Sequence, residues 1–160
     1  MTFADHQKET TLAKAKEAAE TAQATTVVAL TLDKGRKVGC AFGELDVMTE
    51  SRMFSQRRRI GRMLYDQYTG LHDLESDARQ RHEDFPAYEA EHEVKVRYGP
   101  TLRACWDGEG DPPTDEEIGR SKSNELWACL KECVRHNPQL ADEFPYAAEM
   151  LAAEGVDPND

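Results

Sequence analysis

The chain has 160 residues, 39% hydrophobic and 32% charged, and its 31 acidic against 20 basic side chains leave a net charge of -11. That length fits one domain, or one domain with a flexible arm, and lets the chain bury about two-thirds of its unfolded surface without staples. The acidic balance repels phosphate backbones and suits solubility or a basic partner, so direct nucleic-acid binding is not expected.

No apolar run nears the ~18 residues of a membrane span. The polar first twenty residues lack the apolar middle of a signal peptide, so a cytoplasmic location is expected. Cys40, Cys105, Cys129 and Cys133 then read as free thiols rather than bridges.

Residues 1–24 read as a helical arm, rich in alanine, lysine and glutamate, with Phe3 and Leu12 as its only large apolar groups. A β-hairpin follows over residues 26–42. Val28, Leu30 and Leu32 alternate, Val38, Cys40 and Phe42 alternate, and Asp33 to Arg36 form the Gly-containing turn between them. A lone hairpin is marginally stable, so it has to pack on helices or offer an edge to another chain.

Thr49 or Ser51 can cap a helix over about 49–69, which carries the triplet Arg57-Arg58-Arg59. The triplet is either a docking patch for an acidic partner or a solvated helix face. Residues 73–93 are dense in charge and predict a surface helix broken at Pro86. A helix over about 100–106 starts near Pro100, or is the end of a longer kinked one, and finishes at Trp106.

Past a Gly- and Pro-containing loop, Thr114 and Glu117 spell a capping box for a helix over 115–120. A further helix over 124–136, with Ser123 at its cap, shows Leu126, Trp127, Leu130, Cys133 and Val134 on one face and stops at Asn137-Pro138. Residues 141–160 add a short helix and tail. The predicted fold is α+β, mostly helical: an N-terminal hairpin with four to six helices and a C-terminal helical subdomain. Its predicted core is Val28, Leu30, Val38, Phe42, Phe54, Ile60, Leu64, Leu102, Trp106, Leu126, Leu130 and Val134. The two tryptophans are expected to close a helical hairpin over the Pro-Pro loop.

Few constellations point to chemistry. Cys129, Cys133 and His136 share a helical face and could meet a zinc ion with Cys105 or Cys40, but three residues separate the cysteines where zinc sites use a tight two-residue turn. Buried structural thiols are the competing reading. There is no phosphate-cradling glycine loop, no Gly-x-Ser-x-Gly elbow and no His-Glu-x-x-His spacing, so neither catalysis nor a cofactor is expected.

The order Leu102 to Trp106, Asp111-Pro112-Pro113-Thr114 with Glu117 and Ile118, Glu125 to Leu130, then Asn137-Pro138, resembles the small tail-assembly chaperones of long-tailed bacteriophages. The likeness covers about residues 25–140 and includes the opening hairpin. The alanine-rich N-terminal helix and the charged middle depart from that pattern.

The resemblance implies a non-enzymatic protein that binds the long tape-measure protein, recruits tail-tube subunits, can form homo-oligomers, and works in the cytoplasm of an infected cell. Protein-binding candidates are Leu30, Leu32, Val38 and Phe42 of the hairpin, Arg57, Arg58 and Arg59, and Trp127. Three rivals remain open: an acidic DNA mimic that inhibits a nucleic-acid-binding protein, a zinc-stabilised regulatory module, and a structural subunit of a viral particle.

Overall fold

The computed structural model describes residues 26–32, 35–70 and 78–155; the predicted arm over 1–24 lies outside them. Strands β1 (Val28–Thr31) and β2 (Lys37–Cys40) pair antiparallel, with Val28 opposite Cys40 and Leu30 opposite Val38. The two-residue period puts these four side chains on one face. Gly35 takes φ +76° in the connecting turn, a conformation that favours glycine.

Helix α1 (Val47–Gly70) begins earlier than predicted. Its cap is Asp46, whose Oδ1 accepts the Thr49 amide at 2.7 Å, rather than Thr49 or Ser51. Helix α2 (Ala78–His92) is not broken at Pro86. It continues through a π turn (Glu93–Tyr98) into α3 (Gly99–Cys105), one helical run from Ala78 to Cys105.

Two local reasons account for that continuity. Pro86 and His82 are exposed, so water can take the carbonyl that proline leaves without a partner. At the second proline the chain shifts its bonding, and the Gly99 amide donates to Val94 O, five residues back. Pro100, without an amide, then sits at the start of α3 where none is needed. A Cβ at Gly99 would overlap Asp115 Oδ1 and lie 2.9 Å from Val94 O, so the junction requires glycine.

The long run packs antiparallel on α1. Tyr68 stacks on Tyr88 at 4.5 Å, Gly61 lies beside His92 and Val96, and Met53 neighbours Pro100 and Ala104. Helix α4 (Asp115–Arg120) carries the capping box as predicted: Thr114 Oγ1 accepts the Glu117 amide, and Glu117 accepts the Thr114 amide. Helix α5 (Ser123–His136) is the centre of the molecule, with β1, α3 and α6 (Pro145–Ala153) against it.

The core gathers on α5. Leu30, Phe42, Leu102, Leu130 and Val134 are buried there with Ile118, Leu140, Phe144 and Leu151. The last two extend it past residue 140, the predicted domain limit. Val28, Val38, Phe54 and Trp106, expected inside, pack on its margin. The fold is α+β and mostly helical, as the sequence predicts. Among the described residues, no helix is long and apolar enough to cross a membrane.

Candidate functional site

The hairpin was expected to offer Leu30, Leu32, Val38 and Phe42 to a partner. Leu30, Leu32 and Phe42 are instead buried, at 0, 6 and 2% exposure. Alternation had defined an apolar face, and that face is turned onto α5 and α3 rather than to solvent. Only Val38 is half-open. Val27, which the sequence did not single out, is 67% exposed beside it.

β1 is tied to α5 by one carboxylate. Glu125 accepts the Thr31 amide and the Thr31 hydroxyl, each at 2.7 Å. β2 has β1 on one side and, among the described residues, no strand on the other. Just beyond it the chain pairs with the end of α3, through a bridge between Phe42 and Trp106 and bonds from Gly43 to Cys105 and from Asp107 to Ala41. The outer edge over Lys37 to Gly39, flanked by Val27, is thus a short strand template.

The Thr31 hydroxyl, and then its amide, hold the Glu125 carboxyl below its ordinary value of 4.5. A depressed acid stabilises the fold above its unfolded-state value and loses that contribution as pH falls through the folded one. Hydrogen-exchange protection of the Thr31 amide is therefore expected to be full above pH 4.5 and to fall below it. In Glu125→Gln that acid-dependent loss should vanish.

The arginine triplet divides. Arg57 points inward, its Nη1 2.8 Å from Glu143 Oε2 and its guanidinium 5.4 Å from the Phe54 ring. It links α1 to the turn before α6 and is not available to a partner. Arg58 and Arg59 are exposed.

Trp127 stands in an aromatic ladder, 5.8 Å from Tyr98 and 5.1 Å from Tyr146, both edge to face. Tyr98 in turn meets Phe144 at 6.4 Å, and Arg97 covers both rings and donates to Glu143 O at 2.7 Å. The inner end is core; the outer end, Tyr146, is 53% exposed. Trp106 has a separate partner, the edge of Phe42 at 5.8 Å, and donates to Gly110 O. The two tryptophans thus serve two clusters rather than closing one helical hairpin.

All four thiols are buried. Cys129 faces Cys40 and Cys133 faces Cys105, each pair in hydrogen-bond contact. The bond with Cys40 and then burial push the Cys129 thiol up, and burial and then Cys105 push Cys133 up. Both stay protonated, so neither is a nucleophile or a ready metal ligand. Among the described residues, no group of three His, Cys, Asp or Glu side chains is placed to hold a metal ion, and His136 does not join Cys129 and Cys133 in one.

Two polar nodes escaped the sequence reading. Asn137, 2% exposed, accepts the Leu45 amide at 2.7 Å and donates to Gly43 O and Cys133 O, fastening the segment before α1 to the end of α5. Glu132, 1% exposed, is held by Arg135, which also reaches Glu154 at 2.6 Å, while Lys131 meets Glu154 at 2.5 Å. Asn137 before Pro138 signalled only a helix stop, and nothing in the sequence pattern marked Glu132 as buried. Compared with known proteins, the chain matches no family model, no curated protein and no solved structure.

Proposed function

We propose that this chain is a non-enzymatic protein-binding factor, and that it acts as a bacteriophage tail-assembly chaperone, holding the tape-measure protein and recruiting tail-tube subunits. The observation that carries this reading is the pairing of an open strand edge on β2 with a half-exposed aromatic ladder at Trp127 and Tyr146. An edge offers backbone bonds to an extended segment, and aromatic rings offer rigid apolar area at small entropic cost.

The element order adds the specific assignment through its resemblance to that family. Buried Glu132 and Asn137 are spent on structural bonds, and burial pushes the thiols of Cys129 and Cys133 up; both fit a protein that performs no chemistry. The DNA-mimic reading is disfavoured because acids of the helical run pair with bases one turn away: Glu83 with Arg79, Glu91 with Lys95, and Glu93 with Arg97. Such interleaving breaks up the carboxylate stripes that imitate a phosphate backbone.

The test is co-expression with the tape-measure and tail-tube proteins of the same genome. The expected result is a soluble tape-measure protein that co-elutes with this chain, and loss of the complex in the Val27→Lys, Trp127→Ser double variant. A tape-measure protein that stays insoluble beside abundant folded chain overturns the assignment.

A further inference from the structure

We propose that the outer face of α1, a surface separate from the hairpin edge, docks an acidic amphipathic helix of a partner protein. Helix α1 spans 24 residues and buries only Met53 and Leu64 among them. Arg52, Arg58, Arg59 and Arg62 are exposed, and none makes an ion pair among the described residues. Their spacing of three, four and seven residues gathers them on one side of the helix.

That arrangement is exceptional in this chain. Arg79, Lys95, Arg97, Arg103, Arg120, Lys131 and Arg135 each meet a carboxylate. Four guanidiniums on one face without an ion pair among the described residues therefore stand out against a net charge of -11.

The same face is apolar enough to hold more than a counter-ion. Met48, Met63 and Tyr65 are 62, 49 and 56% exposed on it. Arg58, Arg59, Arg62, Met63, Asp66 and Gln67 line an open hollow at its C-terminal end. A second hollow lies between Thr49, Arg52 and Gln56 of α1 and Pro100 and Arg103 of α3. From one hollow to the other the strip runs about 27 Å, the length of an 18-residue helix. Carboxylates repeating at one-turn spacing would meet the guanidiniums in two-pronged bonds, while an apolar residue between them rests on Met63 or Tyr65.

Charge complementarity selects this occupant over the others. A second copy's α1 would set arginine against arginine, and a nucleic-acid backbone of phosphate and sugar would leave Met48, Met63 and Tyr65 without an apolar partner.

The probe is a fluorescent synthetic 21-residue amphipathic helix with glutamates at one-turn spacing flanking a leucine stripe, read by anisotropy against the full chain. The expected result is saturable binding that weakens with salt. It should drop about tenfold or more in the Arg58→Glu, Arg59→Glu, Arg62→Glu triple variant, a loss of about 1.4 kcal/mol or more. A single charge reversal elsewhere, Arg79→Glu on exposed α2, should bind as before. Triple lysine replacement of the same positions should keep most of the affinity, which separates lost charge from lost fold. Absence of binding, equal binding by the glutamate triple variant, preference for duplex DNA or RNA, or a self-dimer that the triple variant dissolves would each overturn the proposal.

Discussion

Arg135→Met is expected to lower the unfolding free energy by about 3–5 kcal/mol, because it strips a buried carboxylate of its only ion-pair partner among the described residues. Glu132 is 1% exposed, and Arg135 Nε lies 2.7 Å from its Oε2 and 3.2 Å from its Oε1. Methionine fills much of the volume but supplies no proton to bond. For a domain of this size the melting temperature should fall on the order of 10 °C in calorimetry. The compensating test is Glu132→Leu in the same background. Removing both charges together should restore most of the loss, since a well-packed apolar pair replaces a buried ion pair at little net cost. A double variant as unstable as the single one would show that the guanidinium acts through Glu154 instead.

The outer half of that latch carries a pH signature. Lys131 and then Arg135 hold the Glu154 carboxyl below its ordinary value of 4.5. A depressed acid contributes above its unfolded-state value, so the hold on the end of α6 is complete above pH 4.5 and fails as pH falls beneath it.

Asn137→Ala is the second large effect, expected at about 2–3 kcal/mol, because it leaves the Leu45 amide and the Gly43 carbonyl without this partner, while the Cys133 carbonyl keeps its bond from the residue-137 amide. The Leu45 amide, the Gly43 carbonyl and the Cys133 carbonyl all bond this one side chain, at 2.7, 2.9 and 3.0 Å. In urea the midpoint should fall with the slope unchanged, since the same surface is exposed on unfolding. Asn137→Asp keeps the acceptor for Leu45 but removes both donors and buries a charge, so it should cost at least as much. Faster exchange of the Leu45 amide, under conditions where α5 amides remain protected, would localise the damage to this clasp.

Legibility followed range. The capping box at Thr114 and Glu117 was readable because donor and acceptor are three residues apart, and hairpin alternation needs only nearest neighbours. The α1 cap was misplaced within the same few residues. Asp46 competes with Thr49 and Ser51, and only the geometry of the loop before it selects the aspartate. Pro86 misled because a helix-breaking rule is local, whereas the run through it is held by Tyr68 on Tyr88 and by the π turn beyond.

The candidate site suffered most from the same gap. Leu30, Leu32 and Phe42 form an apolar face in sequence, and nothing in the pattern says whether α5 or a partner covers it. Arg57, Arg58 and Arg59 look alike in sequence, yet a helix phase of about 100° per residue sends the first toward Glu143 and leaves the others outside. Phe144 and Leu151 read as tail because the partner that buries them, α5, lies earlier in the chain.

The π turn at Glu93–Tyr98 fixes a length as well as a shape. Its bonds close over five residues where an α-helix closes over four. The wider turn takes up one residue more than an α-helix would between the same two ends, so a deletion there that restores four-residue closure keeps α2 and α3 nearly in phase. A deletion inside α2 would instead rotate all that follows by about 100° and draw it back about 1.5 Å. Leu102 and Cys105 would swing off α5, and Gly99 would leave its berth beside Asp115. In sequences descended from a common ancestor with this chain, the exposed positions of α2 should therefore drift freely in identity, while any change of length between Tyr88 and Leu102 should fall within the π turn.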